Sequence, residues 1–484
     1  FNTKNMYSKI FIKAPVITAT ATFFASSQYF FERRPNNYIL QAEDDTSTNT
    51  IFITENNNNN VNNNINSSRH NNNIKYSSIS YNANTPCEDT FSIVKNKNPN
   101  VPFQTACAVF DGHGGRQVAK YAEHHLLNHF KNSLLREVDN NNSNDNYNND
   151  DDNNRMIEKT ILNTFKQIEN DLRIKLRPVF ELGFGSVGRV GACACVAILN
   201  YDNTLTIANA GDCRAVIGSI IPNNNDTNNR MKHIIDDDNN NDDDDTKPFQ
   251  QQILNNKPDS KFNSIIALND LDTNTTIQTN SPLDQNISII AKPMTSIHNA
   301  CVEKEKKQLQ KDHPDETLEQ LVRCKHPTSC YVKGRLQPTR SLGDFYLKYE
   351  EFNGTRPSKH NPYTTSDPNR SRHIKSPYNP PYIKATPEIV KYQINIANDK
   401  FLILATDGLW DELTPEEACV IVNDNIQNQG KDSIVETNAK VLLNAAMEKA
   451  AYRIGLTVDE LKSSPFGKRR RSMHDDITII VMEF

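Results

Sequence analysis

The run Ala106, Cys107, Ala108, Val109, Phe110 ends in Asp111-Gly112-His113-Gly114-Gly115. The same plan, a strand-like run delivering a carboxylate, recurs three times. Thr204 to Ala210 runs into Gly211-Asp212, Phe401 to Thr406 runs into Asp407-Gly408, and His474-Asp475-Asp476 opens the β-branched run Ile477 to Val481. One Asp-Gly alone reads as a turn, because Asp bonds its own backbone and Gly accepts positive φ. Four such ends, one carrying a His and one a tandem Asp, point to chemistry. If the strands converge, the crowded carboxylates need a cation or a pKa shift to compensate them. Oxygen donors without a Cys or His cluster favour a hard cation, Mg²⁺ or Mn²⁺, over zinc or copper.

The elements that must hold these residues can be read from periodicity. After Gly115, Val118, Ala122, Leu126 and Phe130 fall at helical spacing, and Ile157, Ile161, Phe165, Ile168 and Leu172 make a second amphipathic helix. Strands and helices group in blocks instead of alternating, which predicts an α+β fold with mainly antiparallel sheets.

Gly183-Phe184-Gly185-Ser186-Val187-Gly188-Arg189-Val190 spells a kinase-like glycine loop. A kinase also needs a Lys in the following strand, a His-Arg-Asp loop and an Asp-Phe-Gly motif, and none of these is present. The segment reads as a flexible lead into a buried strand at Ala194 to Leu199. The nine Cys show no zinc spacing, and none has Arg six positions later, which excludes a thiol phosphatase. Cys193 and Cys195 would point to one strand face, and buried reduced thiols in an intracellular compartment are the expectation.

The chain has 484 residues and a net charge of −5, with scattered basic residues and no nucleic-acid footprint. Its one basic cluster, Lys468-Arg469-Arg470-Arg471, reads as a solvated loop before the last strand. Asn-rich tracts at Asn56 to Asn73, Asn140 to Asn154 and Asn223 to Asp245 carry too few apolar residues to offset ordering entropy. The polar stretch from Thr246 to about Asn286 continues the third. The expected organisation is a leader over 1–45, a low-complexity linker over 46–75, and one folded domain over 76–484 with insertions at about 139–154 and 221–286. From Asn2 to Phe31 there are Lys4, Lys9 and Lys13, no acid, and many Ser, Thr, Ala and Phe, as in an organelle transit segment. The run Ala14 to Phe31 is broken by Thr, Ser and Gln, so a membrane span is not expected.

Seven motifs occur in order: Pro86-Cys87-Glu88-Asp89, Asp111-Gly112-His113-Gly114-Gly115, Gly191-Ala192-Cys193-Ala194, Ala210-Gly211-Asp212-Cys213-Arg214, Arg340-Ser341-Leu342-Gly343-Asp344, Ala405-Thr406-Asp407-Gly408-Leu409-Trp410-Asp411 and His474-Asp475-Asp476-Ile477-Thr478. Together they resemble the metal-dependent protein phosphatases of type 2C. Asn84-Thr85-Pro86-Cys87-Glu88-Asp89, His298-Asn299-Ala300 with the charged helix up to His313-Pro314, and Pro380-Pro381-Tyr382 before Ala385 resemble the pyruvate dehydrogenase phosphatase branch.

The resemblance implies two stacked β-sheets with helices outside and a metal centre at one edge. It implies a protein serine/threonine phosphatase, a phosphoric monoester hydrolase acting through a metal-bridged water, with two core Mg²⁺ or Mn²⁺ ions about 3.5 to 4 Å apart. Asp111 would be the shared ligand, Glu88 and the Gly112 carbonyl would complete one metal, and Asp407 and Asp475 the other. A third, weak ion would sit at Asp212, Asp407 and Asp411. Asp89 would orient water, and His113 would be the general acid. Asp476 is not expected to bind metal directly, and Trp410 is expected to be core.

Most of the family holds the substrate phosphate with an Arg four residues before the first metal Glu. That position here is Asn84, which leaves Arg214 and Arg340 as candidates. The expected partner is a phosphoprotein substrate, in particular a mitochondrial dehydrogenase subunit, with no nucleic acid and no membrane, and the protein is expected to be a monomer. The expected location is mitochondrial, with the cytoplasm or another organelle as the alternative. A second function class is a catalytically weak phosphatase-fold scaffold that binds phosphoproteins.

Overall fold

The structure, a computed structural model, describes residues 53–54, 74–98, 101–141, 150–221, 288–353, 373–428 and 436–484. The expected leader, the Asn56 to Asn73 tract and the Asn223 to Asp245 tract with its polar continuation lie outside these residues. Two compact units divide the chain, one of Phe1–Ser219 with Ile289–Phe484 and one of Ile220–Ser288. The first unit carries the sheets and helices that build the site.

Among the described residues fourteen strands run in chain order: β1 (Ile53–Thr54), β2 (Lys75–Tyr81), β3 (Thr90–Lys95), β4 (Phe103–His113), β5 (Gly191–Asn200), β6 (Thr204–Ala210), β7 (Arg214–Ile221), β8 (Ser288–Pro293), β9 (Val322–His326), β10 (Ser329–Val332), β11 (Leu342–Gly343), β12 (Glu388–Gln393), β13 (Asp399–Ala405) and β14 (Ile477–Glu483). One large sheet has the order β1-β2-β14-β13-β7-β8, a second has β12-β6-β5-β4-β3 with β11 beside β5, and β9 and β10 form a two-stranded sheet. The registered strand pairs are antiparallel. The helices are α1 (Gln117–Asn141), α2 (Asp150–Glu181), α3 (Glu303–Asp312), α4 (Leu318–Leu321), α5 (Asp407–Trp410), α6 (Pro415–Asn428), α7 (Asn438–Ile454), α8 (Val458–Ser463) and α9 (Lys468–Arg471).

Period-two alternation builds three apolar layers from these strands. On β4, Ala106, Ala108 and Phe110 face α1 and α2, where Val118, Ala122, Leu126, Phe130, Ile161 and Phe165 meet them. Cys107 and Val109 face the other way and pack with Cys193, Cys195, Leu402, Leu404, Ile480 and Met482 between the sheets. On β13 and β14, Phe401, Ile403, Ile477 and Ile479 turn outward against Val422, Leu442 and Ala446 of α6 and α7. The result is the expected α+β sandwich of stacked antiparallel sheets flanked by helices. No helix among the described residues is long and apolar enough to cross a membrane.

Four expectations are corrected. Helices run into the Asn140 to Asn154 tract, because α1 ends at Asn141 and α2 starts at Asp150. The side chain of Asn154 accepts from Asn200 Nδ2 at 2.8 Å, which fixes that helix end to the sheet. The Gly183 to Val190 segment is not a loose lead: residues 185–189 form a 3-10 turn with Gly185, Val187 and Gly188 buried. The thiols are not all reduced, since Cys324 and Cys330 stand opposite each other on β9 and β10 and form a disulfide, while seven other Cys are free. The basic cluster is helical, and its Arg470 is among the largest fully buried side chains.

Candidate active site

Antiparallel register explains why the carboxylates meet. Ala405 at the end of β13 pairs with Ile479 near the start of β14, which sets Asp407 beside Asp475. Ile477 pairs with Tyr81 at the end of β2, so the loop carrying Glu88 and Asp89 leaves from the same edge. In the second sheet, His113 pairs with Gly191 and Ala194 with Ala210, which brings Asp111 and Asp212 to the start of β5. β4 itself does not stop at Phe110 but continues through Asp111, Gly112 and His113, so this segment is strand and not turn. Two glycines allow the close approach. A Cβ at Gly112 would lie 2.3 Å from the Glu88 carbonyl oxygen, and one at Gly408 would lie 2.1 Å from that of Asp476.

All nine residues expected at the site are brought together. Asp111 stands against Asp89, Asp212 and Asp475, and its carboxyl shares a hydrogen bond with Asp407. Asp407 stands against Asp111, Asp212, Asp475 and Asp411. Burial first, then repulsion among these neighbours, drives Asp89, Asp111 and Asp407 well above the usual carboxylate range. Asp475 is also raised by burial, with Arg471 opposing. Asp411 keeps exposed surface, yet desolvation of its carboxyl, then Asp475 and Asp212, push its pKa to about 6. Thr406 Oγ1 donates to Asp89 Oδ2 at 2.7 Å.

Ligand atoms of Asp111, Cys193 and Asp212 lie within 4.8 Å of one another. Cys193 is a poor thiolate donor there, since burial and then Asp212 and Asp111 hold its thiol well above its ordinary pKa. Its Sγ donates to Asp212 Oδ1 at 3.2 Å, and Asn299 Nδ2 donates to Asp212 Oδ2 at 2.9 Å. The donor set is therefore carboxylate oxygen, which fits a hard divalent cation.

Asp476 turns inward and organises the loop. Its carboxylate accepts from the backbone N–H groups of Ala83 at 2.6 Å, Asn84 at 2.8 Å and Glu88 at 2.8 Å. Trp410 is buried, with Nε1 donating to the Ala405 carbonyl at 3.0 Å.

Two residues at the site were missed by sequence reasoning. Asp344 is fully buried with left-handed backbone (φ 49°), and its Oδ2 lies 2.6 Å from His113 Nε2 and 2.7 Å from Ser341 Oγ. Burial pulls the His113 pKa down, but the Asp344 charge and hydrogen bond outweigh it, and the net shift is upward. Arg471 Nη1 lies 3.1 Å from Asp475 Oδ1 and 3.4 Å from Glu88 Oε2. The signals were the Asp that closes Arg340-Ser341-Leu342-Gly343-Asp344 and an Arg four residues before Asp475.

The family model for protein phosphatase 2C matches residues 77–239 and 283–453. The chain belongs to this family. It is 26% identical over 381 residues to probable protein phosphatase 2C 28 of Oryza sativa subsp. japonica, covering 79% of this chain and 69% of that protein. To probable protein phosphatase 2C 42 of Arabidopsis thaliana it is 28% identical over 380 residues, covering 78% and 72%. The crystal structure of serine-threonine phosphatase 2C from Toxoplasma gondii shares the fold, with a TM-score of 0.50 and 13% identity over 85% of this chain and 95% of that one. Family membership makes the protein a serine/threonine phosphatase of a metal-dependent class, with phosphoproteins as substrates.

Proposed function

We propose that this phosphatase 2C domain hydrolyses phosphoserine and phosphothreonine in proteins with Mg²⁺ or Mn²⁺ held by its carboxylate cluster. The observation that carries this is the mutual crowding of Asp89, Asp111, Asp407 and Asp475, whose raised pKa values mark charge left for a cation to compensate. Glu88, Asp111, the Gly112 carbonyl, Asp407 and Asp475 would hold two core ions, and Asp212, Asp407 and Asp411 a weaker third. When bound, such ions supply charge beside the phosphoryl oxygens and lower the pKa of a water at the site.

The chain's own residues do the rest. Asp89, fixed by Thr406, orients water. His113 presents Nε2 to Asp344, so Nδ1 is the ring nitrogen left to protonate the departing Ser or Thr oxygen. Asp344 holds the ring in that orientation and favours the imidazolium needed by a general acid. Phosphate release from a phosphoserine peptide with Mn²⁺, repeated with chelator, tests this reading. Turnover that survives chelation, or none with Mn²⁺, refutes it.

We also infer a place in the pyruvate dehydrogenase phosphatase branch, a mitochondrial ketoacid dehydrogenase subunit as target, and a transit role for residues 1–45. Asn84 at the usual Arg position and the basic, acid-free start of the chain support this. Residues 1–45 fused to a reporter should carry it into mitochondria and be cleaved. A cytosolic, uncleaved reporter overturns the leader. Unchanged dehydrogenase phosphorylation in mitochondria lacking the enzyme overturns the target.

A further inference from the structure

We propose that Arg471 is the residue that grips the substrate's phosphoryl group, and that it occupies the functional place left vacant by Asn84. This rests on the reading of the chain as a phosphatase. Asn84 cannot serve, because it carries no charge and its side chain donates to Asp476 Oδ2 at 3.1 Å, with its backbone N–H on Oδ1 of the same carboxylate.

The other arginines are placed differently. Arg340 Nη1 donates to the Thr386 carbonyl at 3.2 Å. Arg214 has its guanidinium over the Trp410 ring at 6.0 Å and faces Asp212, Asp411 and Asp407, while Glu88 is not among its charged neighbours. Arg470 is buried: it donates to backbone carbonyls of Ser464 at 3.0 Å and Asn82 at 3.4 Å and stacks on Phe466 at 4.0 Å.

Burial of Arg470 pins α9 against the domain and points its neighbour at the site. Arg471 bridges Glu88 and Asp475 through Nη1 alone, so Nη2 and Nε are not engaged by these two contacts. Its side chain is 40% exposed, open to an incoming anion. Glu88 is an electrostatic neighbour of both Arg471 and His113, so a phosphoryl group seated over Glu88 would meet both the general acid and the guanidinium. A guanidinium stays charged at any working pH and presents a planar fork that matches two phosphoryl oxygens. Arg471 also lies beyond the last residue matched by the family model, Arg453, so the family match does not assign it.

The test uses the full chain with Mn²⁺, orthophosphate as competitive inhibitor, and Arg471→Ala with Arg471→Met, which keeps the alkyl stem. The expected result is a rise of roughly tenfold or more in the inhibition constant for orthophosphate and in KM for a phosphoserine peptide. Mn²⁺ affinity, read by calorimetry without substrate, should hold or tighten, because a cation beside Glu88 and Asp475 has gone. Arg471→Lys should recover part of the loss as a point charge. Unchanged phosphate inhibition in both variants overturns the proposal. So does weakened Mn²⁺ affinity that accounts for the loss, which would make Arg471 a scaffold for the carboxylates. Wild-type protein without Mn²⁺-dependent turnover would overturn the phosphatase reading itself, a distinct result.

Discussion

Strand β13 carries an aspartate at each end, and the two live in opposite worlds. Asp399, at the end remote from the site, is buried and fully partnered: Lys292 Nζ at 3.0 Å, Tyr392 Oη at 2.9 Å, the Asn395 N–H at 2.8 Å and the Ser219 hydroxyl. Burial alone would raise its pKa, but the Ser219, Asn395 and Lys292 donors outweigh it and hold the carboxyl below its usual range. Asp407, just past the other end, meets Asp111, Asp212, Asp475 and Asp411, and its pKa goes up. The same chain thus supplies a Lys where a buried carboxylate is structural and more carboxylates where it is not. Charge left uncompensated by the protein is charge reserved for a ligand.

The sharpest way to break this contrast is to neutralise each aspartate in turn. Asp407→Asn, and likewise Asp111→Asn, should abolish Mn²⁺-dependent turnover while raising the melting temperature of the chelated protein, since repulsion is relieved. Asp399→Asn should act in the opposite sense. It leaves Lys292 and its hydrogen-bond partners short of a charge and should destabilise by about 3 kcal/mol, with activity kept in the folded fraction. Urea midpoints and peptide turnover, measured side by side, check both. A destabilised, still active Asp407→Asn would end the distinction.

A smaller effect is expected at His113. His113→Ala should lower turnover of phosphoserine peptide by about 10²- to 10⁴-fold and that of p-nitrophenyl phosphate far less, because a phenolate leaves without help from an acid. Asp344→Asn should follow the same leaving-group pattern more mildly, since the ring keeps a hydrogen-bond partner. Equal losses on both substrates would mean that His113 positions water instead.

The structural aspartate and the carboxylate cluster also carry opposite pH signatures. A carboxyl with a depressed folded pKa, such as Asp399, adds stability above its unfolded value near 4, and that stability disappears as pH falls through the folded value. A carboxyl with a raised folded pKa, such as Asp411 at about 6, removes stability as pH climbs from about 4 to 6, because the unfolded state ionises first. Chelated protein should therefore melt lower at pH 6.5 than at pH 5, and Asp411→Asn should flatten that slope. Mn²⁺ should erase it. A chelated melting temperature that rises over this interval would contradict the assignment.

What could be read in the sequence was what local periodicity records. Alternation on β4 and β5 placed Cys193 and Cys195 on one face, between the sheets, and 3.6-residue spacing found the cores of α1 and α2. The strand-end aspartates were visible because Asp and Gly are distinctive at such positions. Long-range pairings were not: His113 and Asp344 are 231 positions apart, and nothing local joins them. The Cys324–Cys330 bridge needed the β9–β10 register, which puts the two residues opposite each other. Arg471 was hidden in a charge run whose four members look alike, although one is buried, one faces carboxylates, and two point outward. The helical start of α2 was missed because Asp150 to Asn154 is polar, and its order comes from the helix behind it and from contacts to Asn200 and Asp202.

The smallest effect should come from the region least like β13. Asn223 to Asp245 has no strand-like alternation and few apolar side chains, so on composition its removal is expected to cost no core packing. Its contribution to stability is then that of loop length alone, about 0.6 kcal/mol for each halving. Excision should shift the melting temperature by no more than a degree or two and leave Mn²⁺-dependent turnover of a phosphoserine peptide unchanged. Because a shorter closure lowers the entropy of ordering β7 and β8, the shift should be upward. A large fall in melting temperature or turnover would show that the tract packs on the domain, and would move it from the class of Asn-rich filler to that of the structural aspartate at the remote end of β13.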